Sequence, residues 1–448
     1  MLRKLEQQGY KNCPQTYVCL LQGCIQSNAL YDGRFLHDHI IRSEWRPNVF
    51  ISTSIVNMYA RCGDIEDAQA AFDNMIERNQ VTWNMMIAAY CRHERFEDAL
   101  NTFWGMQEHG VTPNDVSFVS GFKACAGLGN LEKGRQVHDL FRKSKMKPST
   151  LVGNSLVNMY IKCGSFEDAQ QNFDTLDKKD SASWNVIIGG YVKNGDAKKA
   201  LTLFSEMQSM HIKPDIVTFL SISNAYGNLG DFEQAKKIHN HIMESGLELN
   251  TLMRNALIDM YTKCRGWSSA WKVFDEIPER DVSTWNAMVG GLTKHGHCEE
   301  AFQLFYQMAM EGFYPNDVSY VSILTACTTL QASEQGKRIH CRISKTNAST
   351  NIFIANALVE MYATCGSLSS SCKLFNEMLK RNVVSWNTII AVHVKHGLDQ
   401  EALQLFQKMI QEGIDPDEIT YVSVVNVCAN LTSVFRGFQV HSCIVISQ

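Results

Sequence analysis

The 448-residue chain has no apolar run long enough to cross a bilayer, no C-x-x-C pair and only 8 prolines. The first absence removes any expectation of a membrane-spanning helix. The second bears on the 15 cysteines. Without paired spacing, and without a secretory signal that would deliver them to an oxidising compartment, neither a zinc site nor a disulfide framework is expected. Most of them fall inside amphipathic stretches, where cysteine behaves as a small buried hydrophobe, so reduced structural thiols are expected. The prolines sit between helical stretches, which suits a nearly all-helical chain. A basic excess is also missing: 42 Lys+Arg stand against 46 Asp+Glu, with a net charge of −4 and a pI of about 6.4. Nucleic-acid binders usually carry a positive balance, so such a role would have to rest on where the cations lie. Finally, Met1-Leu2-Arg3-Lys4-Leu5-Glu6 reads as helix. It resembles neither a signal peptide nor a Ser- and Arg-rich, acid-poor transit peptide.

What is present is a long period. Trp83-Asn84, Trp184-Asn185, Trp285-Asn286 and Trp386-Asn387 recur every 101 residues, since 185−84, 286−185 and 387−286 are equal. Cys62, Cys163, Cys264 and Cys365 end an M-Y-x-x-C phrase with the same step, as do His37, His138, His239, His340 and His441, and Pro113, Pro214, Pro315 and Pro416. A stack of similar units needs such a period; a single core does not. Each step divides into a 35-residue unit without Trp-Asn, a 31-residue unit and a 35-residue Trp-Asn unit. The boundaries run 14–48, 49–79, 80–114; 115–149, 150–180, 181–215; 216–250, 251–281, 282–316; 317–351, 352–382, 383–417. Residues 1–13 read as the tail of a preceding unit and 418–448 as an incomplete last one, leaving twelve complete.

Each unit reads as two helices. In 181–215, Trp184, Ile187, Ile188 and Tyr191 share one helical face, Asn194-Gly195-Asp196 makes a turn and cap, and Ala200, Leu203, Phe204 and Met207 line the second helix. Ala200 recurs as Ala99, Ala301 and Ala402, and Phe204 as Phe103, Phe305 and Phe406. One pair cannot bury both apolar faces alone, so stacking completes the core and the fold class is all-α, an α-solenoid. Two departures stand out. Arg265-Gly266 replaces the Cys163-Gly164 step, which predicts a turn shifted by one residue. Ser369-Ser370-Ser371 replaces Glu167-Asp168-Ala169, which predicts a weaker short unit.

V-S-W-N-x-x-I, M-Y-x-x-C-G and G-x-x-x-H in strict rotation resemble the pentatricopeptide repeat family, in its plant-type arrays of 35-, 35- and 31-residue motifs, from residue 14 onwards. Single units also look like tetratricopeptide repeats, which bind peptides but lack the 31-residue member and the Trp-Asn opening. The resemblance implies a right-handed superhelix that binds single-stranded RNA as a monomer, one base per repeat, read by the residue at position 5 and the last residue. By that scheme Thr53 with Asn79 favours A. Asn84 with Asn114, Asn286 with Asn316, and Asn356 with Asn382 favour C. Asn154 with Asp180, Asn185 with Asp215, Asn255 with Asp281, and Asn387 with Asp417 favour U. Val18, Val119, Leu220, Val321 and Val422 hold position 5 of the long Trp-free units and cannot hydrogen-bond a base, so these units read as spacers or weak contacts. The implied site is 5′-?AC?UU?UC?CU?-3′.

Two further patterns accompany the pairs. Position 2 carries Phe50, Val81, Leu151, Ala182, Leu252, Phe353 and Val384, with Ser283 the exception. These either sandwich bases or pack a helix start. Position 13 carries Arg61, Arg92, Lys162, Lys193, Lys263, Lys294 and Lys395, with Thr364 the exception, while the long units have no charge there. A cation at a helix end offsets the dipole, but capping does not explain its restriction to the units with polar pairs. That restriction favours phosphate contact.

Relatives of this type often carry a cytidine-deaminase-like domain, which needs H-x-E followed by C-x-x-C. The one H-x-E, His297-Cys298-Glu299, lies in an inter-helix turn without a C-x-x-C behind it. The periodic histidines read as satisfied core residues. The chain therefore reads as non-catalytic, without metal or cofactor. It is expected to be the specificity part of an RNA-editing machine in mitochondria or chloroplasts, with a separate deaminase as partner. A protein-interaction solenoid and a truncated deaminase-containing enzyme are the alternatives.

Overall fold

The computed structural model describes residues 13–43, 45, 48–346 and 351–431. The expected N-terminal stub, apart from Cys13, and the end of the last unit with His441 lie outside these residues. Twenty-five α-helices and no strand occur among the described residues. They alternate as first and second helices of successive pairs, an α-solenoid. First helices of 13 residues, such as Val49–Arg61, Gln80–Arg92, Thr150–Lys162 and Ser181–Lys193, serve the short and Trp-Asn units. The long units open with 14-residue helices such as Asp115–Leu128 and Asp317–Leu330. The short units lose their missing residues from the second helix: Phe166–Asp174 spans 9 residues where Ala197–Ser209 spans 13.

The pairs gather into two bodies, which part between Ala225 and Tyr226 inside the helix Ile216–Leu229. In the first body, helix Val49–Arg61 packs on Gln80–Arg92, and Asp115–Leu128 on Thr150–Lys162. In the second, Thr251–Lys263 packs on Val282–Lys294, and Ile352–Thr364 on Val383–Lys395. First helices thus form a continuous layer within each body, and each second helix backs its own pair and the next first helix. This is the arrangement expected when no pair can bury its own faces.

Residue identity fixes each kind of joint. Trp184 is buried with its ring edge-on to Phe173 of the preceding short unit, centroids 4.9 Å apart, and Trp285 meets Phe274 at 5.1 Å in the same way. Edge-to-face aromatic pairs of this kind favour one docking angle over others. The joint between a long and a short unit uses a glycine instead. A Cβ at Gly33, Gly134 or Gly336 would fall 2.3, 2.4 and 2.4 Å from the sulfurs of Met58, Met159 and Met361. Beside it, the Nδ1 atoms of His37, His138, His239 and His340 are hydrogen-bonded to the hydroxyls of Tyr59, Tyr160, Tyr261 and Tyr362 at 3.0, 2.8, 2.8 and 2.9 Å. These are core histidines with a partner, as expected. The thiols of Cys62, Cys163 and Cys365 point to the carbonyls of Cys24, Cys125 and Cys327. Burial pushes the Cys125 and Cys327 thiols up to about 12, so both are neutral near pH 7.

The shifted turn does not occur. Helix Thr251–Lys263 keeps its 13 residues, and Arg265 takes the left-handed conformation (φ 57°) that Gly164 takes (φ 78°) in the neighbouring triplet. Gly266 then stands at the N-cap, where a Cβ would meet the Phe232 ring at 2.3 Å. The turn holds its register because stacking on both sides dictates where the second helix begins, and Arg265 bears the backbone strain. The serine run forms helix Leu368–Glu377, with Ser371 fully buried and donating to the Val359 carbonyl at 2.8 Å.

Two outcomes are expected. Arg265→Gly should stabilise the protein by about 0.5–1 kcal/mol, since relieved left-handed strain exceeds the added chain entropy of glycine; a lower denaturation midpoint for the variant would contradict this. Burial, the largest influence, lowers His138 to about 4 and also lowers His37, His239 and His340. Because the folded state resists protonation, their contribution is complete above about pH 6.5 and is lost as pH falls towards 4, roughly 3 kcal/mol for His138 alone. The thermal midpoint should therefore fall over that window, and less steeply in His138→Phe.

Candidate nucleic-acid interface

The last residue of each unit is the N-cap of the next first helix. Asn79, Asn114, Asp180 and Asp215 in the first body accept the backbone N–H of Thr82, Ser117, Ser183 and Thr218 at 3.0, 3.1, 2.8 and 2.9 Å. Asp281, Asn316, Asn382 and Asp417 in the second accept those of Thr284, Ser319, Ser385 and Thr420. Capping accounts for Asn or Asp at this position. It does not account for a second amide placed against the cap. The four Trp-Asn units supply one. Asn84 donates its Nδ2 to Asn114 at 3.0 Å, Asn185 to both Asp215 oxygens at 3.0 and 2.9 Å, Asn286 to Asn316 at 2.9 Å and Asn387 to Asp417 at 2.8 Å.

Other predicted pairs meet less directly. Thr53 and Asn79 are linked through the Thr82 hydroxyl, 2.8 Å from one and 2.9 Å from the other. In the short units, the Asn154 and Asn255 Oδ1 atoms and both polar atoms of Asn356 are buried without a partner. Asn154 contributes to the state of Asp180, whose carboxyl is held low by the Ser183 N–H first and by smaller bonds that include the Asn154 amide. At Asp215 burial is the largest influence and pushes upward. The Thr218 N–H, the Ser181 hydroxyl and the Asn185 amide together outweigh it, leaving the carboxyl below its usual range and ionised at pH 7. The position-1 residue also touches the cap: Gln80 accepts from Asn114 and Ser181 donates to Asp215.

The position-2 side chains are exposed, at 74% for Phe50, 61% for Leu151 and 65% for Phe353. They do not pack the helix start. The long units continue this row with exposed Val116, Val217, Val318 and Ile419, which the sequence reading omitted. The same step of 101 marks them, but valine or leucine at position 5 points to spacers or weak contacts.

The seven cations Arg61, Arg92, Lys162, Lys193, Lys263, Lys294 and Lys395 are each the final residue of a first helix. Six are exposed. Lys263 is the exception, half-buried and paired with Asp259 at 2.7 Å. Arg92 is exposed as a residue, yet partial desolvation of its guanidinium, with the Arg61 charge from the preceding unit as the smaller cause, lowers its pKa. A cleft of about 460 Å³ in the second body is lined by Asn387, Lys395, Thr364 and Ile419, so position-5 asparagine, cation and position-2 residue share one concavity. Among the described residues no cluster of three His, Cys, Asp or Glu side chains could hold a metal, and no helix is long and apolar enough to cross a membrane.

The sequence profile of the PPR repeat family matches residues 78–127, 179–228, 280–329 and 381–430, and that of the PPR repeat matches 50–80, 217–247, 253–282 and 353–383. The chain belongs to the pentatricopeptide repeat family. A chloroplastic pentatricopeptide repeat-containing protein of Arabidopsis thaliana is 33% identical over 93% of this chain and 67% of its own length. A second chloroplastic one is 32% identical over 94% and 52%, and a mitochondrial one 32% over 94% and 49%. The chain thus spans about two thirds of the first of these curated relatives and about half of the other two. Among solved structures, the pentatricopeptide repeat protein PPR10 in complex with an 18-nt psaJ RNA element superposes with a TM-score of 0.66 at 19% identity, covering 98% of this chain and 69% of that one. A second structure, of PPR10 from maize, gives 0.59 at 18% identity, covering 98% and 70%. The likeness to both is one of fold.

Proposed function

We propose that this pentatricopeptide repeat chain is a sequence-selective single-stranded RNA-binding array of the plant-type 35-, 35- and 31-residue organisation, with the twelve units bounded as given above. The observation that carries the proposal is the amide-to-cap bond of Asn84, Asn185, Asn286 and Asn387 beside exposed apolar and cationic side chains. A capped helix needs no such amide, whereas a base edge needs a donor and an acceptor held in place. Exposed position-2 residues on successive units can sandwich bases, and the helix-end cations can meet phosphates. The RNA element named with PPR10 supports the same ligand class. The chloroplastic and mitochondrial relatives support work in an organelle.

Within that role the array selects a site for C-to-U editing and itself supplies no chemistry, a separate deaminase acting beside it. The reading pairs, from Thr53 with Asn79 to Asn387 with Asp417, specify 5′-?AC?UU?UC?CU?-3′.

Two measurements test the proposal. Replacing Lys162, Lys193, Lys294 and Lys395 with Gln should flatten the salt dependence of RNA affinity by up to about 0.7 in log–log slope per lost contact, without altering base preference. An unchanged slope would assign these residues to capping alone. Asp215→Asn recreates the Asn84–Asn114 pair and should move preference at one base from U towards C, by up to ~1–3 kcal/mol if one edge contact behaves as in duplex readout. Competition between oligonucleotides differing at that base reads this directly. Identical competition against both proteins would put the peptide-binding solenoid in first place.

A further inference from the structure

The base-reading proposal leaves one feature of the four Trp-Asn units unused. Each asparagine is held at its other end by a hydroxyl from the following helix. Ser117, Thr218, Ser319 and Thr420 donate to the Oδ1 of Asn84, Asn185, Asn286 and Asn387 at 2.6, 2.6, 2.6 and 2.5 Å. The direction of these bonds follows from the neighbouring groups. The cap oxygen already accepts a backbone N–H, so only an N–H of the asparagine can face it, and Oδ1 must point to the hydroxyl. The hydroxyl in turn accepts the backbone N–H of Asn114, Asp215, Asn316 or Asp417 at 3.0–3.1 Å. The cap oxygen also lies within its reach, at 3.0, 3.1, 3.1 and 2.8 Å, and the shorter distance to Oδ1 in every unit assigns the hydroxyl proton to the asparagine.

The short units have the same residue types in a different arrangement. Ser183, Thr284 and Ser385 occupy the corresponding helix position, and their hydroxyls lie 2.9 Å from the cap oxygens of Asp180, Asp281 and Asn382. None reaches the asparagine. Asn356, 8% exposed, has no hydrogen-bond partner for either Oδ1 or Nδ2, and Asn154 and Asn255 have none for Oδ1. Asparagine and hydroxyl are 33 residues apart in Trp-Asn units (218−185) and 29 in short ones (284−255), and at the shorter separation only Thr53 is met, by the Thr82 hydroxyl at 2.8 Å.

We propose that Ser117, Thr218, Ser319 and Thr420 are positioning residues for base recognition, which lock the asparagine amide in one orientation. Trp-Asn units are then strict readers. In the short units that hydroxyl bond is missing, and the amide is held at most at its Nδ2 end, as Asn154 is by Asp180, so these units tolerate more than one pyrimidine. This rests on the base-reading proposal, and the test separates the two.

The experiment measures the U-to-C affinity ratio at single bases of the RNA by competition binding. Thr218→Val removes the hydroxyl at nearly constant volume and should lower the ratio at the Asn185 base by up to about tenfold, the worth of one hydrogen bond. Thr218→Ser should restore it. Thr284→Val loses the equivalent hydroxyl of a short unit and should leave the ratio at the Asn255 base unchanged. Ser319→Ala, read as the C-to-U ratio at the Asn286 base, provides the same test should Thr218→Val not fold. A full ratio in both Thr218→Val and Ser319→Ala, while Asn185→Ala abolishes it, overturns the positioning role alone. An equal loss in Thr284→Val also overturns it, because the effect would then be one of capping. A ratio that survives Asn185→Ala overturns base reading itself, and this inference with it.

Discussion

One oxygen atom per unit does two things. The Oδ1 of each closing Asn or Asp caps the next first helix and, in four units, also meets the asparagine of its own first helix, as Asp215 meets Thr218 N–H and Asn185 together. A cap is worth about 1 kcal/mol and fixes where a helix starts. Here it also fixes how two successive first helices stand against each other, because the groups it joins belong to both. The surface proposed to read RNA is therefore part of the joint between units, and the spacing of bases along a strand would be inherited from the spacing of helix starts.

Behind that layer, three joints alternate with chemistry suited to each. A tryptophan laid against phenylalanine closes the short unit onto the Trp-Asn unit, and Phe204, edge-on to Phe219 with centroids 6.3 Å apart, closes the latter onto the long unit. Glycine under methionine, flanked by a histidine–tyrosine bond, closes the long unit onto the next short one. Each joint touches only its neighbours, so the array tolerates an odd member. Arg265 in a left-handed turn and the buried Ser371 are such members, and the stacking on either side holds both in register.

Much of this was legible because the period is read from residues that are nearly all structural. Trp184, Ala200 and Phe204 point to a helical face wherever they stand, and the Pro and Gly positions mark its ends. The reading pairs came from family resemblance and landed on residues that the fold brings together in the Trp-Asn units. Val116, Val217, Val318 and Ile419 were missed because their exposure is a property of the packed layer. The expected shift at Arg265 was wrong for a similar reason: a local rule reserves the left-handed turn for glycine, while the cost of moving a packed helix outweighs the strain.

By itself the sequence determined the all-helical solenoid and the identity of the capping residues, since periodicity and capping are local properties of a chain. Only the tertiary structure decided which asparagines are held at both ends. Asn185 and Asn255 each have an aspartate closing their unit and a threonine three residues beyond it, so nothing local distinguishes them. The second helix spans 9 residues in the Asn255 unit and 13 in the Asn185 unit. The threonine hydroxyl reaches the amide in one case and only the cap in the other.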